Sequence, residues 1–199
     1  MNNLRSMPKV LSAFIILIIV LLPSQLVAQS KYSTNAAKIT INGTSNIHDW
    51  KMVSATGTCS GTFTVDGAGA LTGITGLSFS VPVSTLKSDN GSQMDNNAYK
   101  AINASKYPNI TFSSSSATVT PKGGNTFTIS APGKLQISSG TKDVTLVATG
   151  KVNADKSITI DGTYKLVTTD YNVKAISIML GAIKTSANVT ISYSLIMKP

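Results

Sequence analysis

The chain has 199 residues and one cysteine, Cys59, so no internal disulfide holds it together and its stability must come from an apolar core. Residues 1–28 read as a leader, and the 171 residues after them give room for one domain with a real core and are thin for two. Of the 17 basic residues Arg5 and Lys9 lie in the leader, so the remainder has 15 lysines, 8 aspartates and no arginine; without Arg's bidentate fork, and with its lysines scattered singly, it does not read as a nucleic-acid binder.

Residues 10–22 read VLSAFIILIIVLL, an uncharged apolar run of 13 residues behind Arg5 and Lys9 and ahead of Pro23 and Leu26-Val27-Ala28. That is the layout of a secretory signal peptide: a basic start, an apolar middle and a small residue at the cut. A membrane-crossing helix needs roughly 20 apolar residues, more than this run supplies. Cleavage is expected after Ala28, placing residues 29–199 in the periplasm or outside the cell, with no cysteine near the cut to carry a lipid anchor. The other reading of the run is an uncleaved membrane anchor.

After residue 28 the sequence reads as strand after strand. Period-two alternation is the signal, because successive strand side chains point to opposite faces. In chain order the apolar rows are Ile39 with Ile41; Cys59 with Phe63 and Val65; and Leu77, Phe79, Val81 and Val83, where Pro82 on the opposite face suggests an edge or a bulge. Then come Ile110 with Phe112, Phe127 with Ile129, Val144 with Leu146 and Ala148, and Ile158 and Ile160 with Tyr164 and Leu166. The last row, Asn188-Val189-Thr190-Ile191-Ser192-Tyr193-Ser194-Leu195, alternates without a fault. Turn chemistry separates the rows at Asp66-Gly67, Asn90-Gly91, Gly123-Gly124, Ser139-Gly140 and Asp161-Gly162. About eight strands at short, regular spacing predict an all-β sandwich or up-and-down barrel.

Residues 92–107, SQMDNNAYKAINASKY, break the pattern: Met94, Ala98, Ala101 and Ile102 fall at helical spacing. Ser92 or Asp95 is placed to cap the start and Pro108 to stop it, which predicts one short inserted helix; the alternative is an irregular loop.

Reactive groups are few. His48 is the only histidine, beside Asp49 and Trp50, and neither further metal ligands at the right spacing nor a Gly-x-Ser-x-Gly nucleophile accompanies it. A structural or mouth-lining role is expected for it; the competing reading makes it the base of an enzyme acting on envelope lipids. Trp50, the only tryptophan, reads equally as a plug closing one barrel end or as a cavity wall. Cys59 reads as a small buried apolar residue.

Four segments, in order, resemble the YceI-like family, secreted bacterial proteins with a lipocalin-like β-barrel. They are Gly43-Thr44-Ser45-Asn46-Ile47-His48-Asp49-Trp50, similar to secreted members of the Bacteroidetes type; residues 57–63 followed by the strand at 77–86; Met94-Asp95-Asn96-Asn97-Ala98-Tyr99 leading to Lys106-Tyr107-Pro108-Asn109-Ile110-Thr111-Phe112; and Gly133-Lys134-Leu135-Gln136-Ile137 with Lys142-Asp143-Val144. Ser139-Gly140-Thr141 departs from the family's tighter glycine turn, and Asn96 and Asn97 stand where it often has a charge. The likeness spans about residues 32–197 and implies a single lipocalin-like antiparallel β-barrel of about eight strands with one short inserted helix.

It also implies a non-enzymatic function: holding or ferrying a polyisoprenoid or other long-chain apolar lipid, with no cofactor and no metal. A hydrocarbon chain has no hydrogen-bonding groups, so its site needs apolar walls and no motif. The ligand-facing residues expected on the lumen side are Phe79, Val81, Ile110, Phe112, Leu135, Ile137, Leu146, Ile160 and Ile191, joined from the helix by Met94, Tyr99 and Ile102. The lysines leave room for a mild attraction to anionic headgroups and for transient membrane contact. The rival reading is a solid-core barrel acting as a structural or interaction protein of the envelope.

Overall fold

Residues 28–199 are described by a computed structural model of the chain; the signal peptide expected over residues 1–28 lies outside them, Ala28 apart. In chain order the elements are β1 (Ala28–Ser45), β2 (Asp49–Val65), β3 (Leu71–Pro82), a two-residue β4 (Lys87–Ser88), helix α1 (Ser92–Ile102), β5 (Asn109–Gly123), β6 (Thr126–Ile137), β7 (Gly140–Val152), β8 (Ile158–Val167), a two-residue β9 (Ser177–Ile178) and β10 (Ile183–Met197). The eight long strands run β1-β10-β8-β7-β6-β5-β3-β2, and β2 pairs back onto β1, so the antiparallel sheet closes into a barrel. The alternating rows drive closure. On β6, Phe127, Ile129, Ala131, Leu135 and Ile137 are buried, and on β8 so are Ile158, Ile160 and Leu166.

The two barrel ends differ in how the chain reverses. At one end three short turns join β2 to β3, β5 to β6 and β7 to β8, and the interior behind them is solid. Phe63, Phe127, Ile158 and Met197 are each no more than 1% exposed there. The Tyr32 ring stands 5.0 Å from that of Phe63, and its hydroxyl donates to the Lys156 carbonyl at 3.1 Å. The long excursions, residues 83–108 with α1 and residues 168–182, both lie at the other end. Loops of that length are where a β-barrel has its adaptable surface.

Three local expectations need correction. Asp161-Gly162 is no turn: both residues lie inside β8, Asp161 paired with Ser194 and Gly162 with Tyr193. The glycine is there because the Tyr193 ring lies across it, in the space a Cβ would occupy. The reversal falls instead at residues 153–157, where Asn153 Nδ2 donates to Ser157 Oγ and Thr159 Oγ1. Second, α1 has no side-chain cap: Gly91 holds the N-cap at φ 84°, and the helix ends at Asn103 in the left-handed region (φ 57°), well before Pro108. The buried Asp95 carboxylate instead accepts from the Ser88 amide at 2.7 Å, tying the first turn of α1 to β4. Third, Pro82 marks no bulge; it ends β3 opposite Asn109, on the β2 side past the last ladder pair at Ser80, and a 3-10 turn over Val83–Thr85 follows.

Candidate functional site

Between the solid floor and α1 an apolar cavity of about 100 Å³ lies inside the barrel. The inward rows build its wall: Ile39 and Ile41 of β1, Leu77, Phe79 and Val81 of β3, Ile110 and Phe112 of β5, and Leu135 of β6. Leu146 of β7, Ile160 of β8 and Ile191 of β10 complete the ring. Ala131 and Ala148 lie on that wall as well, and their small side chains leave space that a leucine would fill. A second cavity, of about 80 Å³, lies under α1 and is lined by Trp50, Met52, Ile102, Ile137 and residues 174–176. Ile41, Ile110 and Ile191 border both, so the two form one tract from mid-barrel to the helix end.

Ten of the twelve residues expected to face a ligand line this tract. Phe79, Val81, Ile110, Phe112, Leu135, Leu146, Ile160 and Ile191 lie on the first cavity, and Ile102 and Ile137 on the second. Met94 and Tyr99 line neither. Because Asp95 anchors the start of α1 to β4, only the later part of the helix, Ala98, Ala101 and Ile102, reaches the cavity. The Tyr99 hydroxyl lies 2.9 Å from the Ser84 carbonyl and 2.7 Å from that of Leu86, and accepts from Lys87 Nζ at 2.9 Å; it pins the helix to the chain before it. The reading of the sequence omits Ile39, Ile41, Leu77, Ala131, Ala148, Tyr164 and Tyr193. All stand on inward rows, and Ala131 and Ala148 are the signal for a hollow: small residues where a filled core would carry large ones.

The first cavity is uncharged. Its polar side-chain atoms belong to Cys59, Tyr164 and Tyr193. Burial pushes the Cys59 thiol up to about 11 and the Tyr193 hydroxyl up to about 12. Burial, with Tyr164 close by, also raises the Tyr171 hydroxyl under the helix end to about 12. All three stay protonated at neutral pH, so they supply neither thiolate nor phenolate.

Trp50 is a wall. It stands half-buried at the helix end, its ring laid over Gly43 and its Nε1 donating to the Thr44 carbonyl at 3.1 Å. It separates the second cavity from a polar groove on the outer surface that includes Lys51 and Asp89, ion-paired at 2.8 Å. His48 lies outside both cavities, exposed in the β1–β2 turn with Nδ1 2.7 Å from the Asp49 carbonyl. Among the described residues no three His, Cys, Asp or Glu come together to hold a metal ion.

The family model for the YceI-like domain matches residues 29–197. Among solved structures the chain is similar to BcnA of Burkholderia cenocepacia, at 21% identity over 82% of this chain and 96% of that one, with a TM-score of 0.58. It is also similar to a polyisoprenoid binding domain from Saccharophagus degradans implicated in plant cell wall breakdown, at 10% identity over 86% of this chain and 98% of that one, with a TM-score of 0.62. At such identities the likeness establishes the fold. No curated protein matches the chain.

Proposed function

This chain belongs to the YceI-like family, and we propose that it is a lipid-holding protein of the cell envelope, working outside the cytoplasm and carrying the hydrocarbon chain of a polyisoprenoid or fatty-acyl lipid in its barrel. The observation behind this reading is the apolar tract from mid-barrel to the helix end, whose inner part is walled almost wholly by aliphatic and aromatic side chains. The name of the S. degradans neighbour, a polyisoprenoid binding domain, agrees with it. Each buried CH₂ contributes about 0.8 kcal/mol, so roughly ten buried carbons gather about 8 kcal/mol, the scale of micromolar affinity before ordering costs. Such binding needs shape and burial only. A thiol and phenols held protonated fit a binding protein better than an enzyme.

Native mass spectrometry of the protein purified from an envelope fraction of its own host, followed by lipid extraction, tests the reading. A stoichiometric adduct of isoprenoid or acyl mass is expected. A bare protein after gentle handling would shift the assignment to a solid-core interaction protein.

Transient contact with a bilayer is part of the same proposal. Ile47, in the β1–β2 turn, is 58% exposed, and Leu180, in the turn before β10, is fully exposed. Asn46 ties the two turns together: its Nδ2 donates to the Ala182 carbonyl at 2.8 Å, its Oδ1 accepts from the Lys184 amide at 2.9 Å, and its own amide donates to the Lys184 carbonyl. Both tips stand at the helix end, where the second cavity lies. Among the described residues Lys174 and Lys184 have no carboxylate partner there, leaving two cations for anionic headgroups. An Ile47→Asp/Leu180→Asp variant is expected to fold as wild type and to co-sediment roughly ten-fold less with phosphatidylglycerol vesicles, two apolar side chains having lost their burial. Undiminished sedimentation would remove these tips from the contact.

A further inference from the structure

A cavity of about 100 Å³ is a thread, so a hydrocarbon chain enters it only where the wall parts. The strand ladder has a gap suited to that. β7 pairs with β6 from Lys151 to Gly140, and β8 pairs with β10 from Ile158 to Val167. Yet β7 and β8 pair with each other only from Val152 opposite Ile158 to Ala148 opposite Gly162. Beyond that point residues 141–147 and 163–167 run on without a ladder between them, over roughly 20 Å at 3.3 Å per residue. The gap has two ends. Ala148 opposite Gly162 closes it toward the floor. Toward the helix, Gly140 sits so tightly on the Tyr171 backbone that a Cβ would overlap it, and Asn172 Nδ2 donates to Ser139 Oγ at 3.2 Å.

One side chain bars this slit. From β10 the Tyr193 ring crosses β8 over Gly162, and its hydroxyl donates to the Val147 carbonyl of β7 at 3.1 Å. Tyr193 lines the inner cavity with Leu146 and Tyr164, and it also borders a hollow on the outer surface with Gly162 and Thr163. Inside and outside therefore meet at this residue. On the outer rim Val147 is 52% and Val167 37% exposed, apolar positions on a face otherwise set with Thr, Lys and Asp. Backbone groups left without a ladder partner need water, and a slit facing solvent supplies it.

We infer that the slit between β7 and β8 is the side entrance through which the hydrocarbon chain enters and leaves the cavity, with Tyr193 as its bar. The inference rests on the lipid-holding reading. It assigns the slit to a chain, because the slit is continuous with the apolar cavity.

The test is a lock. Val147 and Thr163 occupy the first outward positions past the last ladder pair, so a Val147→Cys/Thr163→Cys disulfide zips the slit while the buried Cys59 stays out of reach. Where the sulfurs do not join under oxidant, a short bis-maleimide closes the pair, with singly labelled protein as the open reference. Uptake of parinaric acid, a fluorescent polyene fatty acid, is followed by stopped flow. The locked form is expected to load roughly ten-fold more slowly than the open form, to the same final occupancy. Tyr193→Phe, which loses one neutral hydrogen bond, is expected to load roughly five-fold faster than wild type. Equal loading rates in locked and open protein would overturn the side entrance, whether the chain passes by the helix end or the free edges receive a β-strand from a partner. Wild-type protein that binds no parinaric acid overturns the lipid reading and the entrance with it.

Discussion

Phe112→Asp is expected to leave a protein that neither unfolds cooperatively nor retains lipid. Phe112 is 3% exposed near the start of β5, paired with Phe79 on one side and Leu135 on the other. Its ring lies against Gly133, where a Cβ would overlap both the ring and the Ser113 carbonyl. The substitution removes a phenyl worth about 3–5 kcal/mol by truncation alone. It then places a carboxylate on a wall that carries no cation, adding several kcal/mol unless the group protonates. Against a total stability of about 5–15 kcal/mol that sum is decisive. Phe112→Leu, a smaller apolar change, separates charge from shape: it is expected to fold with a modestly lowered midpoint. Urea unfolding with lipid extraction on the same samples reads both quantities. Wild-type stability with wild-type lipid content in Phe112→Asp would contradict its place inside the barrel.

The barrel was legible because its strands obey one rule with few exceptions. The row from Val189 to Leu195 alternates in sequence and faces inward at Val189, Ile191, Tyr193 and Leu195 in space; a half-buried sheet demands that period, whatever the family. Errors arose where a local signature had a distant cause. Asp161-Gly162 is indistinguishable from a hairpin turn by composition, and what makes it a strand is the Tyr193 ring, which needs the missing Cβ. Pro108 stands where a helix could end, yet Asn103 ends it earlier by taking the left-handed conformation itself. Tyr99 falls at cavity spacing on α1, but three oxygen and nitrogen partners outside the cavity claim its hydroxyl. For the site, alternation tells which side chains face inward and cannot tell whether facing rows meet or leave a gap. That depends on the sum of side-chain sizes across the barrel, a property of residues far apart in sequence such as Ala131 and Ile41. The slit was equally hidden: β7 and β8 both alternate well, and only the register shows that they part after Ala148.

Filling the hollow isolates its function from its contribution to the fold. Ala131 is 3% exposed on β6, opposite Leu146 of β7, with its methyl on the cavity. Ala131→Phe directs a ring into a space of about 100 Å³. Occupying that much void returns about 2 kcal/mol at roughly 24 cal/mol per Å³, while imperfect fit removes about 1–3 kcal/mol. The two nearly cancel, so a thermal midpoint within a few degrees of wild type is expected. Lipid content is expected to fall roughly ten-fold or more, because the ring takes the position of chain carbons worth about 0.8 kcal/mol each. A solid-core interaction protein predicts otherwise: no lipid in either form and no change in whatever its surface binds. Wild-type lipid content in a folded Ala131→Phe protein would put the cargo outside the cavity. If the phenyl unfolds the barrel, Ala131→Leu applies the same test with a smaller group, and a graded loss of lipid from Ala through Leu at constant fold would tie retention to free volume inside the barrel.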